Sequence, residues 1–207
     1  MKKKELNFVT KNHNLTKRNY LNRMINSKVK CMIEAKKYSK NYWDGPRKYG
    51  YGGYKYIPGR WAPVAKKLIK NYRLKKGSKI LDVGCGKGFL LYEMLKITPG
   101  LKIYGCDVSS YALKRNFKLE NLKVFKLDIK NKIPFKSKNF DLVISINTLH
   151  NLKIFDLENA IKEINCSDDY QYEPFKLFII GPDYRNSFPK LKLFINSSTT
   201  GCFLFND

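Results

Sequence analysis

The sequence predicts an α/β domain built on a doubly wound, mostly parallel sheet. Three observations point there. Short apolar segments alternate with helical patterns, a glycine-rich turn joins the first such segment to the helix behind it, and acidic residues close the second and third segments. At 207 residues the chain suits one domain with a single core, preceded by an arm.

In chain order, residues 1–41 are polar and lysine-rich. Met24, Ile25, Val29, Met32 and Ile33 recur at near-helical spacing, so two readings stand: a short amphipathic helix around 18–38, or a partly disordered arm. Residues 42–61 hold seven aromatic residues and five glycines in twenty positions, which rules out a regular helix there. Such a stretch reads as a segment laying rings over a pocket, with a plain linker as the alternative. Trp61, Val64, Ala65, Leu68, Ile69 and Tyr72 then form the stripe of an amphipathic helix, expected to end at Gly77. Strands are expected at 79–83, 102–106, 124–127, 141–146 and 175–180. Helices are expected at 89–97, stopped by Pro99-Gly100, and from a Ser109-Ser110 cap to Phe117. A third, capped by Asp156, carries Leu157, Ala160, Ile161 and Ile164 on one face. Alternation of this kind gives a Rossmann-like sheet with the strand C-termini on one edge, where ligands bind. The division is 1–59 for the arm and pocket-covering segment, and 60–207 for the ligand-binding domain.

Bulk properties narrow the function. Apolar residues are 43% and charged residues 28%, a globular composition. No apolar run approaches the ~20 residues a membrane helix needs, and no apolar stretch follows the basic start, so the expected location is cytoplasmic. The five cysteines form no Cys-x-x-Cys pair and are read as reduced and structural; with only two histidines, no metal site is expected. The 41 basic against 17 acidic residues give a formal charge of +24. A nucleic-acid surface is one reading, and a lysine-biased composition is the other. Lysine runs along the whole chain without any nucleic-acid-binding motif, which favours the second. Nothing in the sequence sets an oligomeric state.

The chemistry centres on Asp82-Val-Gly84-Cys85-Gly86-Lys-Gly88. Glycines between strand and helix allow a tight turn and close approach of a ligand to free helix N–H groups. Asp107, 19 residues after Gly88, is placed to accept hydrogen bonds from ribose hydroxyls, and Asp128 from an exocyclic amine. Val108 and Ile129 follow the two acids as candidate walls for an adenine ring. With Tyr104-Gly-Cys-Asp-Val108, Leu127-Asp-Ile129 and Phe140-Asp-Leu-Val-Ile-Ser-Ile-Asn147, this resembles the class I S-adenosylmethionine-dependent methyltransferases over roughly residues 60–165. A nicotinamide-binding domain fits less well, since Phe89 stands where its last glycine belongs.

The resemblance implies S-adenosyl-L-methionine as cofactor. Asp82, Gly84, Cys85, Gly86 and Gly88 would hold its methionine end, Asp107 its ribose and Asp128 its adenine, with Val108 and Ile129 on either face of the adenine ring. Asn147 would lie beside the sulfonium and the substrate. Methyl transfer then needs positioning and removal of a proton. His150, three residues past Asn147, is the candidate base, with a helix-start histidine as the bland alternative. Tyr54 and Arg60 are candidate substrate contacts, suited to an anionic or sugar-like small molecule. The family usually continues after the fifth strand with a long helix and an antiparallel strand pair, whereas only 27 residues follow Ile180 here. Residues 191–195 and 202–205 would just make a hairpin. Three functions therefore stand: a small-metabolite methyltransferase, an RNA or protein methyltransferase, and a shortened, non-catalytic cofactor-binding variant.

Overall fold

The computed structural model describes residues 27–135, 139–164 and 176–180. Its centre is a parallel sheet of five strands: β1 (Lys79–Val83), β2 (Lys102–Asp107), β3 (Leu122–Lys126), β4 (Leu142–Ile146) and β5 (Lys176–Ile180). The order is β3-β2-β1-β4-β5, so the chain winds outward from β1 in one direction and then crosses back to β1's other side. Registers pair Leu81 with Tyr104 on one side of β1 and with Val143 on the other. Each inner strand is buried on both faces, which explains its continuous apolar run.

Alternation along the strands builds two cores. Ile80, Ile103, Leu142 and Ile144 face one way and join Val64, Leu68, Leu91 and Met94. Leu81, Val83, Cys106 and Val143 face the other way, with Ala160, Ile161 and Ile164. The first core is closed by α3 (Ala62–Tyr72) and α4 (Phe89–Ile97), the second by α6 (Ile154–Ile164). Ile80 is fully buried in the central strand. Ile80→Ala is expected to cost about 2–5 kcal/mol, read as a lowered urea midpoint with an unchanged slope.

Before the sheet come α1 (Lys28–Ala35) and α2 (Lys40–Trp43); α5 (Ser110–Leu113) follows β2. Several boundaries differ from expectation. The described part of the N-terminal helix is α1 alone, because residues 1–26 lie outside the described region. The helix α2 runs two residues into the glycine-aromatic segment, and the rest of that segment is irregular. Helix α3 stops at Tyr72, not Gly77: Arg73 turns left-handed (φ 51°) and its N–H caps Ile69 and Lys70 carbonyls. Gly77 instead shapes the turn into β1, its N–H donating to Gly100 O. Ser109 caps α5 as expected, accepting from Ala112 N–H, but the helix ends at Leu113 rather than Phe117. Asp156 lies inside the first turn of α6, not at its cap, and pairs with Lys130 at 3.3 Å. β3 starts two residues and ends one residue earlier than expected, which leaves Asp128 two residues beyond its end. Segment 166–175 and the expected hairpin fall outside the described residues.

Candidate functional site

β1, β2 and β4 end on the same edge, and their following turns meet there. After β1 the backbone at Gly84, Gly86 and Gly88 takes φ of 84°, 57° and 69°, the left-handed region that glycine alone enters freely. Space forbids a side chain as well. A Cβ on Gly84 would collide with the Thr148 side chain after β4, and one on Gly88 with Asn116 Oδ1. One on Gly86 would lie 2.8 Å from the Trp43 ring. The bare faces of the glycines are thus covered by this chain's own side chains. The ligand approach expected from the sequence must come along the backbone between these contacts.

Two buried carboxylates flank the loop. Asp107 is 8% exposed, and each of its oxygens accepts a backbone N–H, from Gly86 at 2.8 Å and from Ser109 at 2.7 Å. Burial still raises its pKa despite those two donors. Each oxygen keeps a second lone pair, so the group retains capacity for two hydroxyl donors. Asp82, at the end of β1, is 5% exposed. Its pKa is pushed up to about 8, first by burial and then by the charge of Asp107. A buried carboxyl held in this way favours a cationic or strongly donating partner.

The aromatic segment is the roof. Trp43 stacks on Tyr51 at 5.2 Å and donates through Nε1 to Ser109 Oγ at 2.8 Å. Tyr54 stacks on Phe89 at 4.8 Å, and its hydroxyl is close enough to Asp82 and Arg60 to feel both charges. Burial drives the Tyr54 phenol well above its ordinary range. Lys87, inside the glycine loop, is 5% exposed and points into this roof. Its ammonium donates to both Asp44 oxygens, at 2.7 and 2.8 Å, and to Tyr54 O at 2.6 Å. Asp44 also accepts from Tyr54 N–H and the Tyr111 hydroxyl.

The remaining expected residues are placed as follows. Asp128 is half-buried and accepts from Lys130 N–H at 3.2 Å, while Ile129 is committed to the second core and Val108 is 38% exposed. Cys85 is partly buried, packed against Gly105, and desolvation holds its thiol protonated. Asn147, exposed after β4, is itself left-handed (φ 55°), a conformation asparagine tolerates better than most residues. His150 lies at the surface in a turn of 3₁₀ helix (Leu149–Asn151), with enough protein around its ring to lower its pKa by desolvation. Arg60 is exposed at the start of α3. No cluster of metal-ligating side chains occurs among the described residues, and no helix there is long and apolar enough to cross a membrane.

Sequence reasoning missed Trp43, Asp44, Lys87, Ser109, Asn116 and Thr148 as parts of this edge. A lysine between two loop glycines was the available signal for Lys87, since a solvated lysine has no need of that position.

A left-handed glycine loop, two buried acids at adjoining strand ends and the order β3-β2-β1-β4-β5 define a doubly wound α/β domain with its polar groups gathered on one sheet edge. Residues 80–166 match the family described as Methyltransferase domain. The match spans less than half of the chain, and over it the chain is similar to methyltransferase domains. Among curated relatives, human arginine-hydroxylase NDUFAF5, mitochondrial, is 35% identical over 99 residues, covering 48% of this chain and 27% of that protein. Ribosomal RNA small subunit methyltransferase C of Buchnera aphidicola (Acyrthosiphon pisum strain) is 33% identical over 107 residues, covering 49% of this chain and 30% of that one. This chain thus spans about a quarter to a third of the length of these relatives. Among solved structures, S-adenosylmethionine-bound CalS10, an amino pentose methyltransferase of Micromonospora echinaspora, superposes with a TM-score of 0.50 at 18% identity. It covers 64% of this chain and 53% of its own. The [4+2]-cyclase SpnF gives the same TM-score at 17% identity, with 65% and 53% covered. These two likenesses establish the fold and no reaction, as the differing activities of the pair illustrate.

Proposed function

We propose that this protein binds S-adenosylmethionine on the edge formed by β1, β2 and β4 and transfers its methyl group to a small metabolite. The observation that carries the reading is Asp82, a buried carboxyl held partly protonated beside a second buried acid. An amino-acid ammonium and a ribose are the chemistry that this pair of acids suits. Asp82 with the loop at Gly84, Cys85, Gly86 and Gly88 would hold the methionine end. Asp107 would hold the ribose and Asp128 the adenine, with Val108 and Ile129 as walls for the adenine ring. When bound, the cofactor supplies an activated methyl electrophile. The chain's own residues orient the acceptor, exclude water and take its proton.

The acceptor would lie between the aromatic roof and the β4 edge, against Tyr54, Arg60 and Asn147. A roof whose rings pack this closely on the loop suits a small, enclosed acceptor, and the exposed Arg60 suits an anionic one. On this reading residues 1–59 cover the site and residues 60–207 form the binding domain.

His150 would be the base. Its pKa lies below the ordinary 6.5, so the neutral, proton-accepting form prevails at pH 7. Turnover is expected to fall as pH drops through that lowered value. His150→Ala should remove the dependence and lower turnover about 10²-fold or more while leaving cofactor affinity unchanged. Equal turnover in the variant would take His150 out of the mechanism. Transfer of a labelled methyl group into a metabolite extract tests the whole reading, with label in the low-mass fraction as the expected result. Label in RNA would favour the second reading, for which the charge of +24 speaks. Cofactor binding with no labelled product would favour a non-catalytic variant.

A further inference from the structure

We propose that Lys87 and Asp44 are a positioning pair that latches the Trp43–Tyr54 strap over the glycine loop and thereby sets how fast the site exchanges its ligand. The exchange part rests on the reading that this loop binds S-adenosylmethionine; the latch itself does not.

The lysine is spent entirely on the strap. Its three N–H donors meet Asp44 Oδ1, Asp44 Oδ2 and Tyr54 O, all within 2.8 Å, which leaves none for a ligand. Gly86 and Gly88 on either side are left-handed, so the loop backbone that would border the ligand also fixes the direction of Lys87. The strap is internally tied: Tyr51 N–H donates to Tyr42 O, and Gly53 and Tyr54 N–H donate to Trp43 O. It therefore moves as a unit. Its far contacts reach the remaining stations of the site. Trp43 covers Gly86 and donates to Ser109, whose N–H donates to Asp107. Asp44 accepts from Tyr111 on α5.

Burial alone would raise the Asp44 pKa, but Lys87 and Tyr111 hold it below the ordinary value, in keeping with a carboxylate that stays charged at neutral pH. Opening the strap separates this pair, so the pair biases the closed state. A lysine there for packing alone would leave its ammonium in water.

The test uses the full chain with Lys87→Met, Asp44→Asn, the double variant and Lys87→Arg. Amide exchange is followed in residues 38–56 without ligand, and dissociation of S-adenosylhomocysteine is timed by displacement. In Lys87→Met, exchange across 40–54 is expected to rise roughly tenfold or more with that of β1 and β4 unchanged, and dissociation to quicken by a similar factor. The double variant should be no worse than Lys87→Met, because it leaves no unpaired buried charge, and Lys87→Arg should recover most of the effect. Unchanged exchange in 40–54 overturns the latch. So does a rise shared with the strands, which would mean a merely structural lysine. A freed strap with unaltered dissociation overturns the exchange role. If the parent protein binds neither S-adenosylmethionine nor S-adenosylhomocysteine, the functional reading fails, and the ligand-free exchange still decides the latch.

Discussion

Asp82→Asn is expected to raise the melting temperature of the ligand-free protein and to weaken its affinity for S-adenosylmethionine. In the fold this carboxyl keeps its proton up to about pH 8, against an ordinary 3.8. Between those values the folded state binds more protons than the unfolded one, so stability falls as pH rises through the window. Asparagine has no such titration. Its advantage should grow from about pH 4, reach about 2 kcal/mol or more at neutral pH, and level off above about pH 8. For a chain of this size that is a rise of roughly 5 °C or more. The same change removes the negative charge that a bound ammonium would neutralise, with an expected loss of about 100-fold or more in affinity. Scanning calorimetry at several pH values and titration with the cofactor check the two halves separately. A variant that is no more stable at pH 8 than its parent would mean that Asp82 is not held protonated. Undiminished binding would assign the methionine end to other residues.

Gly84→Ala is expected to destabilise the fold strongly. Two costs add. Alanine at φ 84° leaves the comfortable left-handed region, which costs about 1–2 kcal/mol. Its Cβ would also occupy space already held by the Thr148 side chain. Overpacking of this kind costs about 1–3 kcal/mol more. The two can be separated in the Thr148→Ala background, where the collision is relieved and only the backbone cost remains. Gly84→Ala measured there should lose roughly half of its effect on the urea midpoint. An effect that is the same in both backgrounds would mean that Thr148 gives way freely.

The sheet was legible in the sequence because parallel strands buried on both faces read as unbroken apolar runs, and the glycine loop because its spacing is local. What escaped depends on distant partners. The short length of α5 follows from Asn116, which must leave the helix to donate to Gly86 O and lie against Gly88. No helical pattern in residues 110–117 carries that demand. The stop of α3 at Arg73 reflects the turn needed to start β1, which a glycine search located four residues late. Trp43 over Gly86 and Lys87 on Asp44 link positions about forty residues apart, so the aromatic segment could be read as a cover but not as a fastened one. Ile129 packs into the second core through contacts with residues distant in sequence, which the pattern around it does not carry.

The strand order has a consequence for how the chain assembles. β1, β2 and β3 pair between sequence neighbours, so a three-stranded half can form once residue 126 is available. The second side of β1 waits for β4, where Ser145 donates to Val83 O across 62 positions. Closing that separation is the slow, high-contact-order event in this topology. Until it happens the half-built sheet presents the open hydrogen-bonding edge of its most apolar strand. That transient species, rather than the finished fold, is where aggregation during synthesis would begin.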